Sequence, residues 1–417
     1  MKLYGNDPLH SRFTERFDFN LEPIHVEDHT EESSCWHGHE CHIIPPHIQQ
    51  KLAQIDDEVS KTCVSERTKH HASQRFTKSI ENQKISNEFR QKRLDPNNYG
   101  ISEAERESIA KVTPHQSVLA SVTVYNVNHL SGSRALARAK VIDPKYDDVT
   151  SARARSGALK TLQFYSEKFQ RNSVDDKGFP LKSYVHYGKK YDNAFWDGRQ
   201  MIYGDGDKRD FADFTIDPDI IGHELTHGIT QYTTNLEYHD QPGALNEHIS
   251  DVFGIMFKQY VLSQTTALSD WLIGENVMID IAKVPFALRS MKAPGTAYVN
   301  HPDLGTDPQP DRFSGYYTGR DDNGGVHINS GIPNHAFYLT AEALGGFSWD
   351  KAGKIWYSTI TALDDAKRPI VKPTASFADF AKTTIASARK IYGPGSIEES
   401  AVLKAWTATE VIGTKAV

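Results

Sequence analysis

The sequence predicts an α+β chain of two lobes, β-rich first and mainly α-helical second, with a metal-binding helix in the cleft between them. Three observations carry this. Residues 113–218 are rich in β-branched runs and tight turns, and residues 235–417 carry apolar-periodic segments of helical length. Between them stands Asp219-Ile-Ile-Gly-His223-Glu224-Leu-Thr-His227, with two histidines spaced four apart. Residues four apart share one face of a helix, so both imidazoles can grip one ion.

Residues 1–112 form a separate first region. They are polar, show little periodicity and hold nine of the 19 histidines. In Cys41-His-Ile43-Ile44-Pro45-Pro46-His47-Ile48, the prolines precede a helix start spanning Ile48 to Ile55. Residues 84–93 and 102–111 are charged helical candidates. On residues alone the region is either a pro-region or a disordered arm. Cys35-Trp-His37-Gly-His39-Glu-Cys41-His42 is open to three readings. It is a flexible segment with a disulfide or free thiols, a metal site of no standard zinc spacing, or the source of a thiolate plug for the metal centre. Cys35, Cys41 and Cys63 are the only cysteines, so everything after residue 63 must be stable without a disulfide.

Residues 113–233 make the first lobe. Val118 to Val127 reads as a strand and Ser151 to Gln170 as a long helix. Tyr184-Val-His-Tyr and Gln200-Met-Ile-Tyr read as strands, with Gly204-Asp-Gly-Asp as a turn. The lobe ends in the histidine helix, whose Ile220, Ile221, Leu225 and Ile229 form a buried face. Residues 234–417 make the second lobe, with helices at 244–263, 334–344, 350–363, 376–391 and 397–411. The first of these, following a turn at Pro242-Gly243, carries Glu247 in its first turn.

The chemistry follows from residue types. A catalytic zinc takes three protein ligands and keeps one position open, which His223, His227 and Glu247 can satisfy. Glu224 is not aligned with the histidines and can act as general base toward a metal-bound water. The short motif arises by chance easily enough that the third ligand matters. A net charge of −7 and a pI near 6.3 exclude a nucleic-acid footprint, and no apolar run reaches membrane-spanning length. The first ten residues lack the apolar core of a secretory signal, so no classical export is expected.

His223-Glu224-x-x-His227 with Asn246-Glu247-x-x-Ser250-Asp251 resembles the thermolysin family of zinc endopeptidases. So do Asn193-Ala194-Phe-Trp196, Leu288-Arg289-Ser290-Met291 and Asp322-Asn-Gly-Gly-Val-His327. The likeness spans roughly residues 115–417 in the family's order, and Pro45-Pro46 is similar to the propeptide motif of the protealysin-like subgroup. It implies a proenzyme that acts on proteins or peptides and is held by its own propeptide, and a secreted protein by family habit, with the cytoplasm as the alternative. A monomer is expected. The resemblance gives Tyr238 and His327 as oxyanion donors, Asp251, Asn246 and Asp322 as orienting partners of His223, His227 and His327, and Asn193 and Ala194 as binders of substrate backbone. Arg289 would grip the carbonyl just past the scissile bond, although alone it also reads as a buried ion pair. Phe211, Phe214, Ile220, Ile273 and Leu288 match the pocket for the following residue, so cleavage before Leu, Ile, Val or Phe is expected. Asp219, Asp270 and Glu275 match members of a paired calcium site, but Lys258 and Leu272 stand where two more carboxylates belong. An ammonium opposes a dication, leaving at most one weak calcium. An inactive zinc-binding interaction protein on this scaffold and a zinc aminopeptidase are the alternatives. Intact Glu224, Tyr238 and His327 oppose the first, and no residue set identifies an anchor for a free amine.

Overall fold

The computed structural model describes residues 41–52, 54, 120–279, 287–301 and 304–413. The expectations for Cys35, His37, His39, Cys63, Ile55, residues 84–93 and residues 102–111 lie outside these.

Within the described residues a six-stranded mixed sheet builds the first lobe: β1 (Cys41–His42), β2 (Val122–Asn126), β3 (Lys140–Val141), β4 (Leu181–Val185), β5 (Ala194–Trp196) and β6 (Met201–Tyr203), in the order β1-β5-β6-β4-β2-β3. Strands β2, β4 and β6 run parallel, while β5 pairs antiparallel with β6 and with β1. One edge of the sheet is therefore closed by the N-terminal region. Strand β4 stops at Val185, short of the predicted Tyr187, because His186 takes a left-handed φ of 58° that a strand cannot continue. A short helix, α1 (Ser133–Arg138), was not foreseen. The long α2 (Val149–Phe169) packs on β2 and on the next helix. Asp148 caps it by accepting from Ser151 N at 2.8 Å.

That next helix, α3 (Pro218–Gln231), carries the histidine pair. Proline at its first position suits a place where no N–H is needed. Every residue from Pro218 to Thr230 is buried, so it is a core helix rather than one with a single apolar stripe. Helix α4 (Asp240–Val261) packs beside it and starts earlier than expected. Pro242 and Gly243, read as a turn, lie inside its first turn, where proline is tolerated, so Glu247 sits two turns in rather than at the N-terminus. The two helices nearly touch at their backbones. A Cβ on Gly254 would lie 2.6 Å from the Asp219 carbonyl oxygen. Gly254→Ala should push the helices apart, costing about 1–3 kcal/mol and weakening metal affinity, as thermal melts and metal titration would register.

The second lobe continues with β7 (Leu272–Ile273) paired to β8 (Arg289–Ser290), then α5 (Asp321–Asn329), α6 (Gly331–Leu344), α7 (Ala352–Ile360), α8 (Phe377–Tyr392) and α9 (Ile397–Ala408). Helix α5 lies outside the helices expected from the sequence. Its first residues, Asp322 to Gly325, hold φ between 51° and 83°, which Asn and Gly accept, before the chain turns helical toward His327.

Candidate active site

Helices α3 and α4 place three donors together. His223 Nε2 and His227 Nε2 are 3.0 Å apart, and each lies 3.5 Å from a Glu247 carboxylate oxygen. Tetrahedral zinc, with bonds of about 2.0–2.2 Å, requires donors roughly 3.3 Å apart. Both outward nitrogens are engaged, so the inner ones are free to ligate. His223 Nδ1 meets Asp251 Oδ1 at 2.8 Å, and His227 Nδ1 meets Asn246 Oδ1 at 2.9 Å and Ser250 Oγ at 3.1 Å. Burial, against the pull of Glu247, lowers His227 to about 4 and keeps it neutral. Glu247 is fully buried, but His327, His227 and His223 outweigh that and hold it below its ordinary value. The donor set therefore fits zinc.

Glu224 lies on the same helix with Oε2 accepting from Trp196 N at 3.0 Å, while Oε1 has no hydrogen-bond partner. Burial and the adjacent Glu247 raise its carboxyl well above the usual range, as suits a proton acceptor. Across the cavity, the Tyr238 hydroxyl donates to Glu247 and approaches His327 Nε2 at 3.3 Å. Asp322 accepts from His327 N at 2.8 Å and meets Nδ1 at 2.6 Å, so Nε2 is the nitrogen that faces the cleft. Burial disfavours the His327 cation, yet Asp322 and Glu247 prevail and lift it to about 9.

Arg289 serves two partners. Its guanidinium grips Asp251 through Nε at 2.9 Å and Nη2 at 2.8 Å, and Asn334 Nδ2 donates to the same carboxylate at 2.9 Å. The remaining nitrogen, Nη1, donates to Ile43 O at 3.0 Å. Arg289 is thus a buried ion pair that also donates to a main-chain carbonyl of the N-terminal segment. Phe211, Phe214, Ile220, Ile273 and Leu288 are all buried. Ile273 pairs with Arg289 across β7–β8, and Leu288 N donates to Ile273 O at 2.9 Å, which brings these two to the Arg289 side of the site.

The N-terminal segment runs through this site as an extended strand. Cys41 and His42 pair with Trp196 and Phe195. Ile43 N donates to Ala194 O at 3.3 Å and Ile44 N to Asn193 Oδ1 at 3.1 Å. His327 Nε2 donates to His42 O at 2.7 Å. The carbonyls on either side of Ile43 N are therefore held by His327 and by Arg289. Ile43, Ile44 and Ile48 are completely buried. Beyond Pro45, residues 46–52 are helical, and His47 Nε2 reaches Tyr298 Oη at 3.2 Å.

The acidic cluster encloses Lys258. Its Nζ lies 3.0 Å from Leu272 O, 3.3 Å from Asp270, 3.6 Å from Asp219 and 3.7 Å from Glu275. Although burial opposes its charge, these carboxylates raise Lys258 far above its ordinary value.

Comparison with known proteins agrees with this geometry. Residues 75–231 match the thermolysin metallopeptidase catalytic domain, and residues 234–411 match the thermolysin metallopeptidase alpha-helical domain. An extracellular metalloprotease of Pectobacterium carotovorum subsp. carotovorum is 52% identical over 59% of this chain and 69% of its own length. Protease PrtS of a Photorhabdus species is 46% identical over 63% of this chain and 69% of its own. The solved precursor of protealysin, a metalloproteinase from Serratia proteamaculans, superposes with a TM-score of 0.65 at 41% identity. That match covers 76% of this chain and 97% of the other. The chain belongs to the thermolysin metallopeptidase family, in its protealysin-like branch, and is a zinc endopeptidase.

Proposed function

We propose that this endopeptidase is made as a proenzyme and cuts proteins before large apolar residues, with residues 1–112 as its propeptide. The lobes proper are then residues 113–233 and 234–417. The observation that carries this is the path of residues 41–44 through the cleft. Its antiparallel pairing with β5 and its contacts with Asn193, Ala194, Arg289 and His327 follow the path expected of an extended substrate, so that it occupies the cleft in a substrate's place.

His223, His227 and Glu247 would hold zinc, which when bound would supply a Lewis acid and lower the pKa of a water. Glu224 would serve as the proton acceptor and pass the proton to the departing amine. His327 Nε2 and the Tyr238 hydroxyl donate to the oxygen that becomes negative, and losing one such donor typically costs about 2.7–4 kcal/mol. Asp251, Asn246 and Asp322 hold the imidazoles in the orientation these steps need. Phe211, Phe214, Ile220, Ile273 and Leu288 form the pocket that prefers Leu, Ile, Val or Phe. The enzyme works as a secreted monomer, as the extracellular relative supports for its location.

Activation follows self-cleavage between residues 105 and 120, before Ile109, Val112, Val118 or Leu119. The test is to follow fresh full-length protein by mass spectrometry and N-terminal sequencing beside a blocked-dipeptide assay, with and without a chelator. Chain shortening and activity should rise together and both stop with the chelator. Full activity with residues 1–112 attached would refute the proenzyme reading.

Lys258 takes the place of a calcium ion among Asp219, Asp270 and Glu275. The melting midpoint of the wild type should stay the same in millimolar calcium and in a calcium-selective chelator. Lys258→Ala, which strands the buried Asp219 carboxylate, should lose about 3–5 kcal/mol and recover part of it when calcium is added. A wild type that loses stability in the chelator while keeping its zinc would contradict this.

A further inference from the structure

We propose that His129, His186 and Asp205 form a second, non-catalytic metal site for a borderline divalent cation of the zinc class. The three residues come from separate parts of the sheet. His129 follows β2, His186 directly follows β4, and Asp205 follows β6. These three strands are neighbours and parallel, so the residues meet at their carboxyl ends, where α/β sheets gather ligand-binding groups.

Their spacing is that of a ligand set. His186 Nδ1 lies 2.9 and 3.0 Å from the two Asp205 oxygens, and His129 Nδ1 lies 3.3 Å from Asp205 Oδ2. All three donor atoms fall within 4.8 Å of one another, as do those of His223, His227 and Glu247. The outer nitrogen of His186 is also oriented. Nε2 meets Asp148 Oδ2 at 2.8 Å, the distance of Asp251 from His223 in the catalytic site. Asp148 is itself fixed, because its other oxygen caps α2 through Ser151 N at 2.8 Å and Ser151 Oγ at 2.6 Å. A carboxylate–histidine pair of this kind sets which nitrogen ligates and strengthens it as a donor.

The chemistry then requires a cation. With Nε2–H given to Asp148, the Nδ1 lone pair faces the Asp205 carboxylate, and only a positive charge between them removes the repulsion. A proton can fill that role. The raised pKa of His186, about 9, comes first from its bond to Asp205 and then, against burial, from Asp148. A proton, however, needs no third donor, and His129 is held in place as one. Its φ of 58° is uncommon outside glycine, and its N–H donates to His186 O at 2.8 Å, tying the two histidines together. Two imidazoles and a carboxylate suit zinc and its first-row neighbours rather than calcium. The partial exposure of the site leaves the remaining positions to water, so its role is to pin three strand ends.

The test uses full-length protein carrying Glu224→Ala, which cannot consume itself, titrated with Zn2+ at pH 8 and read by native mass spectrometry and calorimetry. Two zinc ions per chain are expected, the second bound more weakly. Adding His129→Ala, at an exposed side chain, should weaken the second ion at least tenfold and leave the first unchanged, and Asp205→Asn should do the same. A stoichiometry of one, or a second ion indifferent to His129→Ala, overturns the proposal and leaves His186 as an imidazolium between two carboxylates. Because the count is of metal and not of turnover, it stands apart from the reading of the catalytic cleft.

Discussion

Glu224→Ala will retain its catalytic zinc while peptide hydrolysis falls by about 10²–10⁴-fold. The separation of these effects follows from the geometry. The residues that could hold the metal are His223, His227 and Glu247, and Glu224 is not among them. Glu224 is anchored by one oxygen to Trp196 N, and its other oxygen is buried without a hydrogen-bond partner. Burial, with Glu247 beside it, raises its affinity for a proton, so the substitution removes the acceptor and little else. Metal analysis of dialysed protein beside a blocked-dipeptide assay reads both quantities. Loss of zinc with activity would make Glu224 structural, and near-normal turnover would put the base elsewhere. The same variant should remain full length under conditions in which the wild type shortens.

The second large effect concerns the segment in the cleft. A synthetic peptide covering residues 39–52, added to the matured enzyme, should inhibit competitively. Its Ile43→Ala version should bind about thirtyfold more weakly, since removing a fully buried Ile side chain forfeits about 2 kcal/mol. Ile43→Asp should abolish inhibition, because it would bury a carboxylate where the wild type buries an apolar side chain. Ile43 is fully buried and lies between the contacts that His327 and Arg289 make to the carbonyls of His42 and Ile43. Inhibition constants from initial rates would decide it. Equal inhibition by all three peptides would mean that the segment binds in another register.

The parts of this site that the sequence displays are those in which spacing is geometry. His223 and His227 are one helical turn apart, and the Asn246-Glu247-x-x-Ser250-Asp251 run lies on one helix, so both survive as patterns. Helix boundaries are less legible where competing signals meet. Pro242-Gly243 has the look of a turn, yet proline fits a first helical turn, and α4 begins at Asp240. Only the fold shows that the left-handed run Asp322-Asn-Gly-Gly aims Asp322 at the main-chain N and the ring Nδ1 of His327. The support that Trp196 N gives Glu224 is a main-chain contact and leaves no mark in residue identity. The docking of residues 41–44 is the least legible, because its bonds join groups as far apart as 285 positions.

That docking has a kinetic consequence. While residues 41–52 and the lobes belong to one covalent chain, occupancy of the cleft is a unimolecular equilibrium, the same at nanomolar and millimolar protein. One cut between them alters none of the contacts, but it turns the segment into a free inhibitor whose occupancy obeys mass action. Its effective concentration drops from the millimolar order of a tethered group to whatever the surroundings provide. The enzyme would then stay quiet where it is crowded and newly cut, and wake as it spreads, so that dilution itself becomes the final step of activation.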